Sequence, residues 1–333
     1  MASNLLPPDG MFPIVDLALF RQNKSAGAKE IIEAVKKACS QHGFMIVVNH
    51  GVDETVIDRA YQSARSFFDL PQKTKETYIS KTYRGYIALG GLAAAYSLDD
   101  RANAPDYREM FVMSRDELDL SDLYYASETG RTVFAPNIWP NEIPAFKSDW
   151  MDYYSEMEVL AFDLMDLFAE AWGLPVNWFK PSINKHMSTM MVTNYPEQLK
   201  EPLPGQLRCG AHTDYGTITL LRAEDKPGGL EVLNEHNEWV TVPIIPNSFI
   251  INIGDLMQRW TNDQWRSSYH RVTNPPRGTD LETRRQSLIF FFHPNYDVVI
   301  EPLPGITDDR KYPSVTARQH LIEKITKMQT AKD

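Results

Sequence analysis

Residues 210–216 read Gly-Ala-His-Thr-Asp-Tyr-Gly, and the alternation inside this stretch decides how the rest of the chain is read. The segment opens a predicted strand, on which residues two apart project to the same face. His212 and Asp214 are therefore expected to point together into an interior, an imidazole and a carboxylate within reach of one ion. A third ligand must come from elsewhere. His270, in Ser-Tyr-His-Arg-Val, is the natural source, because it follows several further predicted strands and a barrel returns to the same mouth that way. Two histidines and one carboxylate on one side of a metal leave three coordination positions open, which suits a ferrous ion that must accept exogenous ligands. A structural zinc site instead closes its shell with a fourth protein ligand. Cys209 is the nearest candidate for that, but three residues before His212 it is expected to face elsewhere.

A second signal lies downstream, where Arg285-Gln286-Ser287 enters the apolar run Leu288-Ile289-Phe290-Phe291-Phe292. By the same alternation Arg285 and Ser287 point inward together. A guanidinium inside a barrel is costly unless it meets an anion. Its fork suits a carboxylate, to which Ser287 can donate one more hydrogen bond. Tyr195, just before Pro196, is a third candidate donor.

Outward from these motifs the chain changes period. Before residue 186 it reads mainly as helix: Ala26–Gln41, a helix capped by Asp53, and a long one from about Pro144 to Trp172. Between the first two, Phe44–Val48 is a short buried strand. Residues 84–140 are irregular and read as loop, and a long ordered loop in a compact domain is usually functional. After residue 186 the period becomes two. Short strands at 187–195, 217–221, 230–233, 239–242, 249–253 and 286–292 alternate with Pro-Gly and Asn-containing turns, which suggests a jelly-roll or barrel. A terminal helix over Thr316–Met328 carries Ala317, Leu321, Ile322, Ile325 and Met328 on one face. The expected fold is thus α+β. A mainly helical region (1–185) packs on a jelly-roll core (186–300), followed by a C-terminal tail and helix (301–333), as one catalytic unit.

Composition limits the functions available. The 333 residues carry a net charge of −10, which argues against nucleic acid or an anionic membrane as principal partner. Two cysteines are too few for a disulfide framework. No apolar stretch reaches the ~20 residues needed to span a bilayer. A cytoplasmic protein acting on a small molecule is expected; its oligomeric state is not legible, with a monomer favoured.

Taken together, His-Thr-Asp at 212–214, His270 followed by Arg-Val, Arg-x-Ser at 285–287 and Asn-Tyr-Pro at 194–196 resemble the 2-oxoglutarate/Fe(II)-dependent dioxygenase superfamily, in its isopenicillin N synthase-like branch. Phe12-Pro13-Ile14-Val15-Asp16, Gly43-Phe44 and Asn49-His50-Gly51 are similar to that branch's opening segments. Asp106-Tyr107-Arg108-Glu109-Met110-Phe111 is similar to its Asp-x-Lys-Glu-x-Phe stretch, with Arg for Lys. The likeness runs in order from about Phe12 to the terminal helix. It implies a double-stranded β-helix core and Fe(II) on His212, Asp214 and His270. It also implies 2-oxoglutarate as cosubstrate with its distal carboxylate on Arg285, Ser287 and Tyr195, and O2 at the remaining iron position. The implied reaction oxidises a substrate C–H bond by hydroxylation, desaturation or cyclisation, with release of succinate and carbon dioxide. The iron centre is the catalyst, and no separate acid or base is expected.

The substrate pocket is expected to involve Tyr86, Phe111, Met187, Asn252 and Ile289, and Arg84 or Arg101 are candidates to anchor an acidic substrate. Substrate identity is not legible. His42, His50, His186, His236, His293 and His320 read as ordinary, and the Asp99-Asp100 pair as a solvated loop feature. Two other functions fit the motifs: an Fe(II) oxidase that works without 2-oxoglutarate, and a non-catalytic binding protein with a retained metal site.

Overall fold

The strand Arg285–Phe292 shows why the chain folds as it does, because it is buried on both faces and its two faces differ in chemistry. Leu288, Phe290 and Phe292 point toward helices, where Phe290 meets Tyr154 and Phe292 meets Phe162 edge-on, with ring centroids 5.2 and 5.9 Å apart. Arg285, Ser287, Ile289 and Phe291 line the opposite, inner side. An apolar run with a polar odd-numbered start is what such a position requires.

The computed structural model describes residues 11–22, 26–98, 104–278, 281–306 and 309–329. Asp99, Asp100 and Arg101 lie outside them. Twelve strands form two facing sheets: β1 (Ile14–Asp16), β2 (Phe44–Val48), β3 (Gly85–Ile87), β4 (Glu109–Ser114), β5 (Thr189–Tyr195), β6 (Cys209–His212), β7 (Ile218–Ala223), β8 (Leu230–Leu233), β9 (Trp239–Thr241), β10 (Phe249–Ile253), β11 (His270–Val272) and β12 (Arg285–Phe292). The major sheet runs β1-β2-β10-β7-β12-β5-β4-β3 and the minor sheet β6-β11-β8-β9. The long helices are α1 (Ala26–Gln41), α2 (Glu54–Phe68), α3 (Phe146–Trp172) and α4 (Ala317–Gln329). Two apolar clusters follow from this layering. One joins the outer face of the major sheet to α1, α2 and α3, and the smaller one fills the space between the sheets through residues such as Phe44, Ile250, Leu230 and Val272.

The fold is α+β, a double-stranded β-helix clad in helices, and its sheets reach further along the chain than the sequence reading has them. The major sheet takes β1 to β4 from before residue 186, so the core extends well beyond 186–300. β4 is buried at every position, which removes the polar alternation by which a strand is recognised, and the segment therefore reads as irregular. No helix among the described residues is long and apolar enough to cross a membrane.

Two close backbone contacts fix the sheets. Gly43 ends α1 with φ +68°, and a Cβ there would lie 2.0 Å from the Arg266 carbonyl oxygen. Gly254, after β10, is packed so that a Cβ would lie 2.4 Å from the Gly216 carbonyl oxygen and 3.1 Å from that of Asp214. Gly254→Ala should therefore force these backbones apart and destabilise the fold by roughly 1–3 kcal/mol, read as a lower denaturation midpoint in urea; an unchanged midpoint would refute the packing role.

His42 and His50, beside the first two strands, are buried, and each accepts a backbone amide at Nδ1: Phe44 N at 3.3 Å and Val52 N at 3.1 Å. Burial is the main cause that lowers each to a pKa of about 4. Because the folded value lies below the unfolded one of about 6.5, the unfolded chain binds more protons between them. Stability should be full above that window and fall as pH drops through it. Tm measured against pH should decline from neutrality toward pH 4, less steeply in His42→Gln; equal slopes would count against this assignment.

Candidate metal centre

His212 and His270 are a directly opposed pair, the last residue of β6 and the first of β11, with ring centroids 4.3 Å apart. Each Nδ1 lies against a backbone carbonyl, Gly210 O at 2.9 Å and Ser268 O at 3.1 Å. Donation of the Nδ1 proton to these carbonyls leaves Nε2 of both rings as a lone-pair donor. Both Nε2 atoms face Asp214 Oδ1, at 3.8 Å from His212 and 3.7 Å from His270. One donor atom from each residue falls within 4.8 Å of the others. Asp214 Oδ2 is occupied separately, accepting from Thr219 Oγ1 at 2.6 Å and Asn252 Nδ2 at 2.7 Å. Thr219 and Asn252 are themselves a registered pair of β7 and β10.

The electrostatics suit a divalent cation. Burial works to raise the Asp214 pKa, but His270, His212 and the two hydrogen bonds outweigh it and hold the carboxyl below its usual value. Burial, and then His212, push His270 down to about 4, which keeps it neutral as a ligand must be. Two imidazoles and one oriented carboxylate leave open coordination positions, and that donor set fits Fe(II).

Asp214 reaches this position differently from the sequence expectation. It is not on a strand: β6 ends at His212, and Asp214 lies where the chain crosses from the minor to the major sheet. Its carbonyl accepts from Asp255 N at 2.7 Å, which holds the crossing in place. Cys209 departs as well. Three residues of β11 (270 to 272) are matched by four of β6 (209 to 212), a bulge that reverses the alternation. The Cys209 side chain consequently faces inward, its sulfur 3.8 Å from His212 Nδ1. Burial raises its thiol pKa, so it stays protonated.

Two cavities, which share Arg108, His212, Asp214 and Phe291 in their walls, open from this trio. The inner one, about 50 Å³, is lined by the three residues and by Tyr195, Arg285, Ser287 and Ile289. Arg285 is 1% exposed, and its Nε and Nη1 donate to the carbonyls of Glu224 and Gly228, each at 3.1 Å, so the partners of its guanidinium there are neutral. Its centre lies 5.8 Å from the Tyr195 ring, and that of Arg208 lies 5.6 Å from the same ring. A buried cation facing a cavity and held by neutral acceptors fits an anionic ligand such as the 2-oxoglutarate carboxylate.

The outer cavity, about 270 Å³, adds Met187, Met191 and α4 to its wall. Ile289 and Asn252 face the inner cavity, but the Asn252 amide is engaged by Asp214. Tyr86 and Phe111 are corrections. They are a registered cross-strand pair of β3 and β4, and alternation turns both away from the cavity that Val112 lines. Phe111 packs on Phe67 and Phe146, with centroids at 4.8 and 5.1 Å, and Tyr86 donates to Glu109 Oε2 at 2.5 Å.

Several lining residues have no clear sequence signal. Arg108 borders both cavities, paired with Asp106 Oδ2 through two nitrogens at 3.1 and 2.9 Å. Asp106 also accepts from Gly210 N and Ala94 N. The Asp-x-Arg motif is visible in the sequence, yet its direction depends on a strand that is not. His293 lines the outer cavity rather than standing idle at a strand end, and burial lowers it to about 4.

Comparison with known proteins agrees with this geometry. Residues 12–142 match the family described as non-haem dioxygenase in morphine synthesis N-terminal, and residues 187–294 match the 2OG-Fe(II) oxygenase superfamily. The chain is 31% identical over 327 residues to the 2-oxoglutarate-dependent dioxygenase citB of Monascus ruber, covering 94% of each. To the homoarginine-6-hydroxylase 2-ODD-C23 of Glycine max it is 30% identical, over 87% of this chain and 88% of that one. Among solved structures, a full-length Neurospora crassa protein in complex with alpha-KG and thymine superposes with a TM-score of 0.82 at 28% identity, over 96% and 98% of the two chains. The chain belongs to the 2-oxoglutarate- and Fe(II)-dependent oxygenase superfamily, enzymes whose cofactors are Fe(II) and 2-oxoglutarate and whose co-substrate is O2.

Proposed function

We propose that this protein oxidises an unactivated C–H bond of a small-molecule metabolite, with release of succinate and carbon dioxide, as a monomer in the cytoplasm. One observation carries the reading: the inner cavity has the His212–Asp214–His270 trio on its wall together with the buried guanidinium of Arg285. Bound iron and 2-oxoglutarate supply the oxidising power. The chain's own residues do the rest. His212 and His270 offer Nε2, and Thr219 and Asn252 hold Oδ2 of Asp214 so that Oδ1 is presented to the metal. Arg285, Ser287 and Tyr195 bind the far carboxylate of the cosubstrate. The apolar wall of the outer cavity, with Met187, Met191 and Phe291, excludes water and positions the substrate. Arg285, with its neutral partners, favours the cosubstrate-dependent reading over an oxidase that works without 2-oxoglutarate.

Two measurements test this. Mn(II), a redox-silent substitute, should raise Tm by several degrees when present at a hundredfold excess over its Kd, since about 2.7 kcal/mol is then gained. His212→Ala should abolish that gain and all turnover while leaving the circular dichroism spectrum intact; retained turnover would defeat the assignment. Arg285→Gln should weaken 2-oxoglutarate binding by roughly ten- to hundredfold. Carbon dioxide released from carboxyl-labelled 2-oxoglutarate reports the coupled reaction, and binding unaffected by the Arg285 change would remove that residue from the cosubstrate site.

A further inference from the structure

The outer cavity has an unusual charge balance for a pocket with so much apolar wall. Its lining includes three guanidinium groups, Arg84, Arg108 and Arg318. Among the described lining residues the one carboxylate is Asp214, which faces the two imidazoles and is committed to the metal. Arg108 is neutralised from behind by Asp106. The other two are not neutralised by any carboxylate among the described residues.

Arg84 is 7% exposed, and its guanidinium donates to Ser114 Oγ at 3.0 Å, Val133 O at 3.1 Å and Tyr83 O at 3.3 Å, all neutral acceptors. The absence of a counterion shows in its acidity, since burial lowers the guanidinium pKa to about 10. A buried cation is normally compensated by an anion, and a cation on a cavity wall can receive that anion from outside the chain. Arg318 stands on α4 in line with Leu321, Ile322 and Ile325, at helical spacings of three, four and seven, and all four residues line the cavity. It is half-buried and has no ion-pair partner among the described residues. The helix that carries it is held in place from a different side: Asp255 Oδ2 takes Lys324 Nζ at 2.7 Å and lies 3.6 Å from His320 Nε2. Arg318 is therefore fixed at the cavity without being used for anchoring.

Resting on the oxygenase reading above, we propose that the substrate is an organic acid with an apolar body, its carboxylate held by Arg318 within the positive field of Arg84. Met187, Met191, Phe291 and the aliphatic residues of α4 would cover the body and direct it toward His212 and Asp214. A guanidinium fork binds a carboxylate through two hydrogen bonds and has no comparable interaction with a primary amide of the same shape. The cavity should therefore separate acids from their amides.

The test uses the enzyme loaded with Fe(II) and 2-oxoglutarate under anaerobic conditions, so that binding is read without turnover. Hexanoate, phenylpropionate and cyclohexanecarboxylate are each titrated calorimetrically beside their primary amides. The expectation is that acids bind more tightly than amides. Arg318→Glu should weaken acid binding roughly tenfold or more and leave amide binding unchanged, while Arg318→Lys retains part of the preference. Arg84→Lys, which keeps the charge where Arg84→Gln risks the Val133 contact, should preserve the preference. No acid preference in the wild-type protein, or acid affinity untouched by Arg318→Glu, overturns the proposal. Titration of 2-oxoglutarate in the same preparations separates the two readings. If 2-oxoglutarate fails to bind the wild type, the functional reading fails; if it binds and acids show no preference, this inference alone is lost.

Discussion

A carboxylate buried between two imidazoles is the constraint around which this molecule is arranged. Asp214 is 5% exposed, and a charge so placed is tolerable only if it is hydrogen-bonded and meets a cation. Thr219 and Asn252 satisfy one oxygen, and the imidazole Nε2 atoms converge on the other. Meeting that demand requires both sheets. The imidazoles sit on the minor sheet and the two hydrogen-bond donors on the major one, with Asp214 on the crossing between them. The sandwich is thus more than a scaffold, because neither sheet alone can complete the site.

The same two-sheet geometry sorts the side chains of the major sheet. Odd-numbered residues of β12 face the chemistry and even-numbered ones face the helices, and registered partners across the sheet share that fate. Arg285 is opposite Tyr195 and Ile289 opposite Met191, so a row of pairs leads from the inner cavity toward the outer one. A single bulge in β6 breaks the rule on the minor sheet and brings Cys209 inward.

Much of this was legible from residue order alone. The helices, most strands after residue 186, and the convergence of His212, Asp214 and His270 follow from periodicity and motif spacing. What could not be read depends on long-range packing. β4 hides because burial on both faces removes its alternation, and with it went the directions of Phe111, Tyr86 and Arg108. Alternation puts Asp214 on a strand, whereas a sheet crossing and a backbone bond from Asp255 place it. Parity turns Cys209 away from the site, and a bulge inverts that without any signature in composition. Local pattern specifies which face a residue takes only while the register is unbroken.

Asp255 gives the fold a shared foundation. Its backbone amide supports the Asp214 carbonyl, and its carboxylate, held low at about 2 chiefly by His320 and Lys324 against the opposing effect of burial, grips the terminal helix. The floor under the metal ligand and the tether of the outer cavity's wall are therefore one residue. Detaching the terminal helix would unroof the cavity and, in the same event, strand a negative charge one peptide away from the glycine that abuts the metal-binding turn. The wall of the outer cavity and the turn that carries the metal ligand are for that reason tied to a single residue in this chain.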